Sequence, residues 1–282
     1  MQVELNELAN VNGIGKKTIQ RIREYKLEQD NYISEYNPEL HLDRNSVNKG
    51  DCLELMNGIP DKSVDMILAD LPYGTTACSW DSIIDLDKLW LQYERIIKDD
   101  GAIVLTASQP FTTKLINSNI SLFKYDWIWI KTKGAFAYAK YQPLRRHEHI
   151  LVFAKNKTKY NPIMWEVNES KKDTRKTINN SNSNSEHTSN MDFIRKKDDG
   201  LRYPTTPLKF NSVWFEDMHP TQKPVALFEY LIKTYTNKGD LVLDNVAGSG
   251  TTGVACQNTN RDYILIEQEE KYIDIIRDRL KE

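Results

Sequence analysis

Short apolar runs alternate with segments of helical spacing along most of the chain after residue 45. Runs typical of buried strands cover residues 64–70, 101–107, 126–131, 149–154, 240–245 and 263–267. Apolar residues recur at helical intervals over residues 85–98, 111–118, 224–235 and 268–281. Strands that alternate with helices in this way predict an α/β fold with a largely parallel sheet.

Segments of different character flank and interrupt this pattern. Residues 5–25 predict two short amphipathic helices around the turn NGIG, and residues 27–45 are polar, as expected of a linker. We therefore expect a small all-α domain over residues 1–26 and the α/β domain over residues 46–282. Residues 168–200 are dominated by Asn, Ser, Lys and Asp, which predicts an exposed loop or disorder.

Composition narrows the class of protein. No apolar run reaches the roughly 18–20 residues that a membrane helix needs, and the start MQVELNELAN lacks an apolar signal core. The three cysteines form no CxxC pair, so their spacing favours neither a disulfide framework nor a metal site. We expect a reduced, cytoplasmic protein that needs no metal.

Charge is spread unevenly along the chain. The formal net charge is -2, but residues 131–176 carry 12 Lys and Arg against 4 Asp and Glu. A basic face on a mildly acidic protein favours a polyanionic partner, although a solvated surface loop would give the same pattern.

A glycine-rich turn follows the predicted strand at residues 240–245. The segment DNVAGSGTTG, residues 244–253, fits the pattern GxGxxG between a strand and a helix, and Glu267 ends the next strand. Glycines allow the backbone to approach a ligand closely, and a carboxylate at that place can bind ribose hydroxyls. The pattern alone fits NAD, S-adenosylmethionine or a purely structural turn.

The tetrapeptide Asp70-Leu71-Pro72-Tyr73 stands at the end of the predicted strand at residues 64–70. Ends of parallel strands are where α/β proteins bind their ligands. The Asp70 carboxylate and the Leu71 carbonyl could accept both N–H bonds of an exocyclic amine on a nucleic-acid base. That would free the nitrogen lone pair to attack a methyl sulfonium, while Tyr73 stacks on the flipped base. Pro72 restrains Leu71 to extended geometry, which aims the Leu71 carbonyl.

Three motifs together resemble the beta-class DNA amino-methyltransferases of bacteria and phages. The segment DLPYG resembles the D-P-P-Y motif of that family, and DNVAGSGTTG resembles its S-adenosylmethionine (SAM) motif. The segment HPTQKP, residues 219–224, is similar to the motif beside the methionine end of SAM. The catalytic motif comes first and the SAM motif last, as in that class, and the resemblance covers roughly residues 46–280.

The resemblance implies a set of site residues. The catalytic residues would be Asp70, Leu71, Pro72 and Tyr73. The cofactor-binding residues would be Asp51, Thr221, Lys223, Asp244, Gly248, Gly250, Thr251 and Glu267. Among these, Asp51 would lie near the SAM adenine and Glu267 on the ribose. Thr221 and Lys223 would meet the methionine carboxylate.

The resemblance also implies a circularly permuted, seven-stranded, Rossmann-like SAM methyltransferase sheet with a target-recognition region inserted at about residues 155–212. The sequence departs from the family pattern where Leu71 replaces the first proline of the motif. It departs again where Asn245 and Val246 replace a Pro-Phe pair. Aspartate at the first motif position is typical of adenine-specific members, so Asp70 favours adenine over cytosine.

The N-terminal hairpin resembles a helix-hairpin-helix, a motif that binds the DNA backbone. Its glycines would let main-chain N–H groups reach a phosphate, and its lysines would add positive charge. An ordinary packed helix pair is the alternative. With two arginines of the basic stretch, the expected DNA contacts are Gly13, Gly15, Lys16, Lys17, Arg145 and Arg146.

The most specific expectation is a bacterial or phage-encoded, SAM-dependent adenine-N6 methyltransferase that acts on duplex DNA at a specific sequence. Three alternatives stay open: N4 methylation of cytosine, an NAD-linked oxidoreductase and a DNA-binding module without catalysis. The resemblance leaves a homodimer and a cognate restriction enzyme open as partners.

Overall fold

The computed structural model describes residues 35–74, 83–132, 134, 139–167, 199–212 and 222–281. The described helices are α1 (Cys52–Leu55), α2 (Leu86–Ile96), α3 (Phe111–Ser118), α4 (Val225–Tyr235), α5 (Thr251–Thr259) and α6 (Glu270–Leu280). The described strands are β1 (Ser46–Lys49), β2 (Val64–Ala69), β3 (Ile97–Ala107), β4 (Phe123–Ile130), β5 (His147–Phe153), β6 (Trp165–Glu166), β7 (Leu201–Arg202), β8 (Pro207–Lys209), β9 (Leu241–Asp244) and β10 (Asp262–Glu267). None of the described helices has the length and apolar character needed to cross a membrane. The expected all-α domain at residues 1–26 lies outside the described residues, as does most of the polar stretch at 168–200.

Within the described residues, eight strands form one mixed sheet in the order β1-β10-β9-β2-β3-β5-β4-β8. The strands from β1 to β3 in this order are parallel, β5 is antiparallel to both of its neighbours, and β8 is parallel to β4. The expected number of seven strands is one too few, because β8 pairs with the end of β4 at the sheet edge. Only one of the three β8 residues, Leu208, is buried, so the apolar pattern is too short to reveal this strand.

Helices cover both faces of the sheet. Ile67 and Ala69 of β2 pack in one core cluster, and Met66 and Leu68 pack in another, because successive side chains of a strand point to opposite faces. The first cluster contains residues of α2 and α3, and the second contains residues of α4, α5 and α6. A strand that is buried on both faces forms a continuous apolar run, which is why β2 was readily predicted.

A partly buried cluster of charges stabilises the end of the sheet where the parallel strands begin. Asp65, near the start of β2, accepts hydrogen bonds from Lys98 and Lys159 at 2.7 Å each and from the Leu241 N–H at 3.0 Å. Lys159 also donates to Asp240 at 2.9 Å. Burial opposes the charge of Asp65, but the hydrogen bonds from Lys159 and Lys98 outweigh burial and lower the pKa of Asp65. Because Lys159 follows β5 closely, this cluster attaches the start of the expected insertion, residues 155–212, to the sheet.

The described part of the expected linker, residues 35–45, makes contacts with the α/β domain. The Leu42 side chain is buried in the core, and Arg44 donates a hydrogen bond to Asp262 at 2.8 Å. The Asn45 N–H donates to the Tyr263 carbonyl at 2.6 Å. These contacts attach the residues just before β1 to β10.

Candidate active site

A cleft of about 380 Å³ opens at the end of the sheet formed by the C-terminal ends of the parallel strands. Residues that follow β2 and β9, neighbours at the centre of the sheet, form much of its wall, and its volume is in the usual range for small-molecule sites. The residues named from the sequence that line it are Asp51, Asp70, Leu71, Pro72, Tyr73, Lys223, Asp244, Gly248, Thr251 and Glu267. The cleft therefore brings the tetrapeptide and the glycine turn together, although they lie far apart in the sequence.

Three side chains hold the carboxylate of Asp70. Its Oδ1 accepts hydrogen bonds from the Tyr73 hydroxyl at 2.8 Å and from the Thr106 hydroxyl. Its Oδ2 accepts a hydrogen bond from the Lys223 ammonium at 2.5 Å. Because β2 and β3 pair side by side, the end of β3 places Thr106 next to Asp70. Asp70 is therefore an acceptor whose orientation is fixed by its neighbours.

Lys223 lies between two carboxylates. Its side chain is only 6% exposed, and its Nζ is 2.5 Å from Asp70 Oδ2 and 3.5 Å from Glu148 Oε2. Glu148 in turn pairs with Lys131. Burial opposes the ammonium charge, but the charges of Asp70 and Glu148 outweigh burial and raise the pKa of Lys223. Lys223 is therefore charged at neutral pH.

Tyr73 is held by its ring and by its hydroxyl. Its ring stacks against Phe111, with centroids 5.3 Å apart and planes inclined by 24°. Burial raises the pKa of Tyr73 well above its ordinary value, and the negative charges of Asp70 and Glu148 raise it further. The hydroxyl consequently stays protonated and acts as the donor that orients Asp70.

Leu71 is fixed by packing. Its side chain is buried and belongs to the core cluster that includes residues of α2 and α3. A proline at this place would restrain the backbone through its ring, whereas the leucine side chain restrains it through burial. The departure from the family motif therefore keeps the Leu71 main chain in a defined position.

The carboxylate of Glu267 closes the glycine turn. Its Oε2 accepts a hydrogen bond from the Gly248 N–H at 2.7 Å, and its Oε1 accepts from the N–H groups of Gln268 and Glu269 at 2.9 Å each. Burial raises the pKa of Glu267, although these three hydrogen bonds oppose the rise. The carboxylate is thus held by main-chain donors on the cleft wall.

Asp244 lies at the end of β9 and is almost fully buried. Its carboxylate accepts hydrogen bonds from the Val246 N–H at 3.1 Å and from the Thr252 hydroxyl. Burial raises the pKa of Asp244 to about 7, although both hydrogen bonds oppose the rise. This side chain therefore titrates near neutral pH.

Comparison with known families now identifies the kind of protein. Residues 64–278 match the model of the N6_N4_Mtase family, described as DNA methylase. The chain belongs to this family. It is a SAM-dependent DNA amino-methyltransferase, so the expected cofactor is confirmed.

Two bacterial type II methyltransferases are similar to this methylase over most of its length. M.HpaI of Haemophilus parainfluenzae is 27% identical over 245 residues, which cover 81% of this chain and 71% of that protein. M.HinfI of Haemophilus influenzae is 28% identical over 264 residues, which cover 84% of this chain and 68% of that protein.

Solved methyltransferase structures share the fold of the methylase. The M1.HpyAVI–SAM complex matches with a TM-score of 0.57 and 25% identity, covering 84% of this chain and 99% of that chain. The PvuII DNA methyltransferase, described as cytosine-N4-specific, matches with a TM-score of 0.59 and 17% identity, covering 85% of this chain and 87% of that chain.

Gly250 is not part of the cleft wall of the methylase, unlike the other described residues that the SAM motif indicated. It caps the N-terminus of α5 with φ at +77°. A Cβ at this position would lie 3.0–3.3 Å from three atoms of Ile276 in α6. Glycine at this position therefore suits both the left-handed backbone of the turn and its close packing against α6.

Asp51 and Thr251 line the cleft and also stabilise local structure. The Asp51 carboxylate caps α1 by accepting from the N–H groups of Leu53 at 2.8 Å and Glu54 at 3.2 Å. The Thr251 hydroxyl donates to the Lys223 carbonyl at 3.4 Å. This bond connects the glycine turn to Lys223, whose ammonium binds Asp70. The predicted site residues outside the described part of the chain are Gly13, Gly15, Lys16, Lys17 and Thr221.

Arg145 and Arg146 lie beside the cleft without lining it. They belong to the exposed segment at residues 139–146, between β4 and β5. Arg145 donates to a main-chain carbonyl just after β3 at 2.9 Å, and Arg146 donates to one just after β4 at 2.9 Å. Both contacts lie at the end of the sheet that carries the cleft. The same segment includes Tyr141, whose side chain is 86% exposed.

The motifs did not indicate three polar residues of the site, Thr106, Glu148 and Asn245. Glu148 occupies a buried position of β5. A charged residue next to the apolar run ILVF was the signal in the sequence that could have indicated its role in the site. The Asn245 side chain is buried and accepts a hydrogen bond from the Tyr93 hydroxyl at 2.6 Å. Thr106 gave no signal, because a threonine within a strand is ordinary.

Proposed function

We propose that this methylase transfers a methyl group to N6 of adenine at a specific sequence in duplex DNA. The observation that carries the proposal is the position of Asp70 at the cleft, where its carboxylate is aimed by Tyr73, Thr106 and Lys223. The choice of adenine rests on aspartate at the first position of the motif, as in the adenine-specific members that the sequence resembles.

The main-chain and side-chain oxygens of the tetrapeptide would activate the target. SAM supplies an electrophilic methyl group on a sulfonium. Asp70 and the Leu71 carbonyl would accept the two N–H bonds of the exocyclic amine, which draws the nitrogen towards tetrahedral geometry and frees its lone pair. Pro72 would keep the Leu71 carbonyl aimed, and Tyr73 would stack on the flipped base. Transfer would be direct and in-line, without a covalent link to the protein: the N–CH3 bond would form as the bond from methyl to sulfur breaks, and the nitrogen would then release one proton to solvent.

The far end of the cleft suits the cofactor. Two buried carboxylates, Asp244 and Glu267, flank a glycine turn whose main chain forms part of the wall. A few fixed polar groups in a concave site are what a nucleoside ligand needs for orientation. In this proposal the residues that hold SAM are Asp51, Thr221, Lys223, Asp244, Gly248, Thr251 and Glu267, with Gly250 supporting the turn.

Contacts with the DNA backbone would come from basic segments outside the cleft. The exposed segment at residues 139–146 carries Arg145 and Arg146 beside the cleft, where cations can neutralise phosphates and position the duplex. The helix-hairpin-helix proposed for residues 1–26 would add an anchor that does not depend on sequence. Residues 155–212 would select the target.

Four expectations from the sequence enter this proposal, three from the resemblance and one, the location, from the composition. They are the circularly permuted order of the sheet, a cytoplasmic location, a homodimer and a cognate restriction enzyme. The late strand β9 pairs with β2 near the centre of the sheet, and β10 lies between β9 and β1, which supports the permuted order. Sedimentation of the full chain tests the dimer, and protection of methylated DNA against candidate nucleases tests the restriction partner.

The second candidate is N4 methylation of cytosine. It is favoured by the shared fold with the PvuII enzyme, which is described as cytosine-N4-specific. Both reactions use an exocyclic amine, so the same acceptor oxygens could serve either base. Membership of the methylase family removes the support for an NAD-linked oxidoreductase.

Nucleoside mass spectrometry after incubation with SAM and unmethylated duplex DNA distinguishes the candidates. We expect N6-methyladenine from the wild type and none from Asp70→Ala, while the variant still binds SAM. Asp99→Ala is the matched control, because Asp99 is an exposed carboxylate that pairs with Lys62 away from the cleft. N4-methylcytosine would overturn the base assignment, and full activity of Asp70→Ala would overturn the mechanism. Absence of methylation by the wild type would favour a DNA-binding module without catalysis.

A further inference from the structure

The turn from Ala247 to Gly250 is held by hydrogen bonds within it and from β10. Within the turn, the Gly250 N–H donates to the Ala247 carbonyl at 2.8 Å, and Gly248 has φ at +51°. From β10, the Ile266 carbonyl accepts from the Ala247 N–H at 2.9 Å, and the Glu267 carboxylate accepts from the Gly248 N–H at 2.7 Å. Strand β10 thus fixes the first half of the turn.

Arg279 of α6 holds the second half of the turn. Its Nη1 donates to the main-chain carbonyl of Ser249 and, at 3.1 Å, to the Ser249 hydroxyl. Ser249 is only 4% exposed and belongs to the wall of the cleft. Side chains of a helix point back towards its N-terminus, which lets Arg279 reach from the last turn of α6 towards the cleft.

The charge of Arg279 meets no opposite charge in the described part of the chain. The side chain is half-buried, no carboxylate of the described residues pairs with it, and burial lowers the pKa of its guanidinium. Burial of a cation costs free energy unless hydrogen bonds compensate it. Arg277 also lies in the last turn of α6, where a cation is favoured, but it is exposed. The distinguishing feature of Arg279 is therefore its bond to Ser249.

The sequence around Ser249 explains why a contact from outside the turn is useful. Ser249 stands between Gly248 and Gly250, and glycine allows the main chain more conformations than any other residue. Glu267 fixes the peptide N–H on one side of Ser249, and Arg279 fixes the carbonyl on the other. Together they restrict a segment whose own residues impose little restriction.

We propose that Arg279 is a positioning residue for SAM, because its bond to the Ser249 carbonyl keeps the glycine turn in the conformation that receives the cofactor. Arg279 does not line the cleft, so it acts through the turn. Ile276, three positions earlier on the same face of α6, supports the turn at Gly250 by packing. The inference rests on the proposed function, in which this turn forms part of the SAM site.

The variant Arg279→Gln tests the inference. Glutamine is shorter and uncharged, so the bond to the Ser249 carbonyl is lost and the competent conformation of the turn becomes less populated. We expect the dissociation constant of SAM, measured by calorimetric titration without DNA, to rise about 10-fold. The titration is made at a temperature where circular dichroism shows the variant to be folded. With DNA, KM for SAM should rise in parallel, while kcat at saturating SAM stays within about twofold.

Arg277→Gln is the matched control. It removes the same charge from an exposed position in the same turn of α6, so it reports any general effect of charge on the helix or on SAM. Its dissociation constant for SAM should equal that of the wild type. Equal weakening of SAM binding in Arg277→Gln and Arg279→Gln would overturn the inference.

Two more variants separate the hydrogen bond from packing. Arg279→Lys keeps a charged donor on a long side chain, whereas Arg279→Met keeps an apolar side chain without a donor. The inference predicts that Arg279→Lys binds SAM more tightly than Arg279→Met. Equal affinities of these two variants, or wild-type affinity of Arg279→Gln, would overturn it. A lower kcat of Arg279→Gln with unchanged affinity for SAM would overturn it as well.

The proposed function can fail separately. Wild-type SAM affinity in both Glu267→Ala and Arg279→Gln would show that the glycine turn is not the SAM site. Weak SAM binding by Glu267→Ala beside wild-type affinity of Arg279→Gln would refute only the role of Arg279. The titrations contain no DNA, so their result does not depend on which base the enzyme methylates.

Discussion

Replacing Gly250 with alanine tests whether this glycine serves the packing of the turn or the approach of a ligand. Gly250 has φ at +77°, and a Cβ would lie 3.0 Å from Ile276 Cγ1, 3.1 Å from Cγ2 and 3.3 Å from Cβ. Gly239 provides a control within the same chain. Its φ is +80°, and a Cβ there would meet nothing within 4 Å.

The two positions allow the energetic contributions to be separated. Alanine in the left-handed backbone region costs roughly 1–2 kcal/mol at either site. Only Gly250→Ala adds a crowded contact with the side chain of α6, and such overpacking typically costs about 1–3 kcal/mol. We therefore expect the free energy of unfolding to fall by about 2–5 kcal/mol for Gly250→Ala and by about 1–2 kcal/mol for Gly239→Ala.

Urea unfolding followed by circular dichroism, without SAM, measures both changes under the same conditions. The measurement is paired with a SAM titration at a temperature where both variants are folded. Equal destabilisation of the two variants would show that the contact with Ile276 carries no weight. If Gly250→Ala is as stable as Gly239→Ala but binds SAM poorly, Gly250 serves the approach of the cofactor and not the packing of the turn.

Three further changes probe other parts of the fold. The pKa of Asp244 rises from 3.8 to about 7 on folding, so its contribution to stability is present below about pH 4 and is lost as pH rises through 7. Urea unfolding should show that the wild type loses about 4 kcal/mol more than Asp244→Asn between pH 4 and pH 8, and parallel profiles would contradict this. Asp65→Asn should lower the free energy of unfolding, measured with urea, by about 2–3 kcal/mol. This is less than the loss expected for a fully buried ion pair, because Lys98 and Lys159 keep some contact with solvent. Equal stability of Asp65→Asn and the surface variant Asp99→Asn would refute that role. Arg146→Ala should reduce the slope of log affinity for DNA against log salt by about one, and an unchanged slope in filter binding would remove Arg146 from the interface.

The strands that are buried on both faces were all predicted, whereas β4 was predicted although it is only partly buried. β2, β9 and β10 have continuous apolar runs because helices cover them above and below the sheet. β1 was missed because its sequence SVNK lies at the sheet edge and is only half-buried. β8 was missed because three residues cannot show a period.

The site was predictable as a set of motifs but not as a set of contacts. Asp70 and Lys223 each belong to a motif, yet their separation of 153 positions hides the fact that they touch. The partnership of Glu148 with Lys223 depends on the pairing of β5 with β3, which no local pattern encodes. Gly250 shows that a glycine of a ligand-binding pattern can also be required by packing, because a Cβ there would crowd Ile276.

The inserted region is fastened to the sheet at both ends. Lys159 bonds to Asp65, and the Asn161 N–H donates to the Thr234 carbonyl at 2.7 Å, while β8 pairs with β4 at the other end. If residues 155–212 select the DNA target, mutation and recombination can alter the stretch between these attachments without shifting Asp70 or Glu267. Specificity and chemistry can then evolve at different rates, so that a lineage acquires new target sites while inheriting the methyl-transfer machinery unchanged.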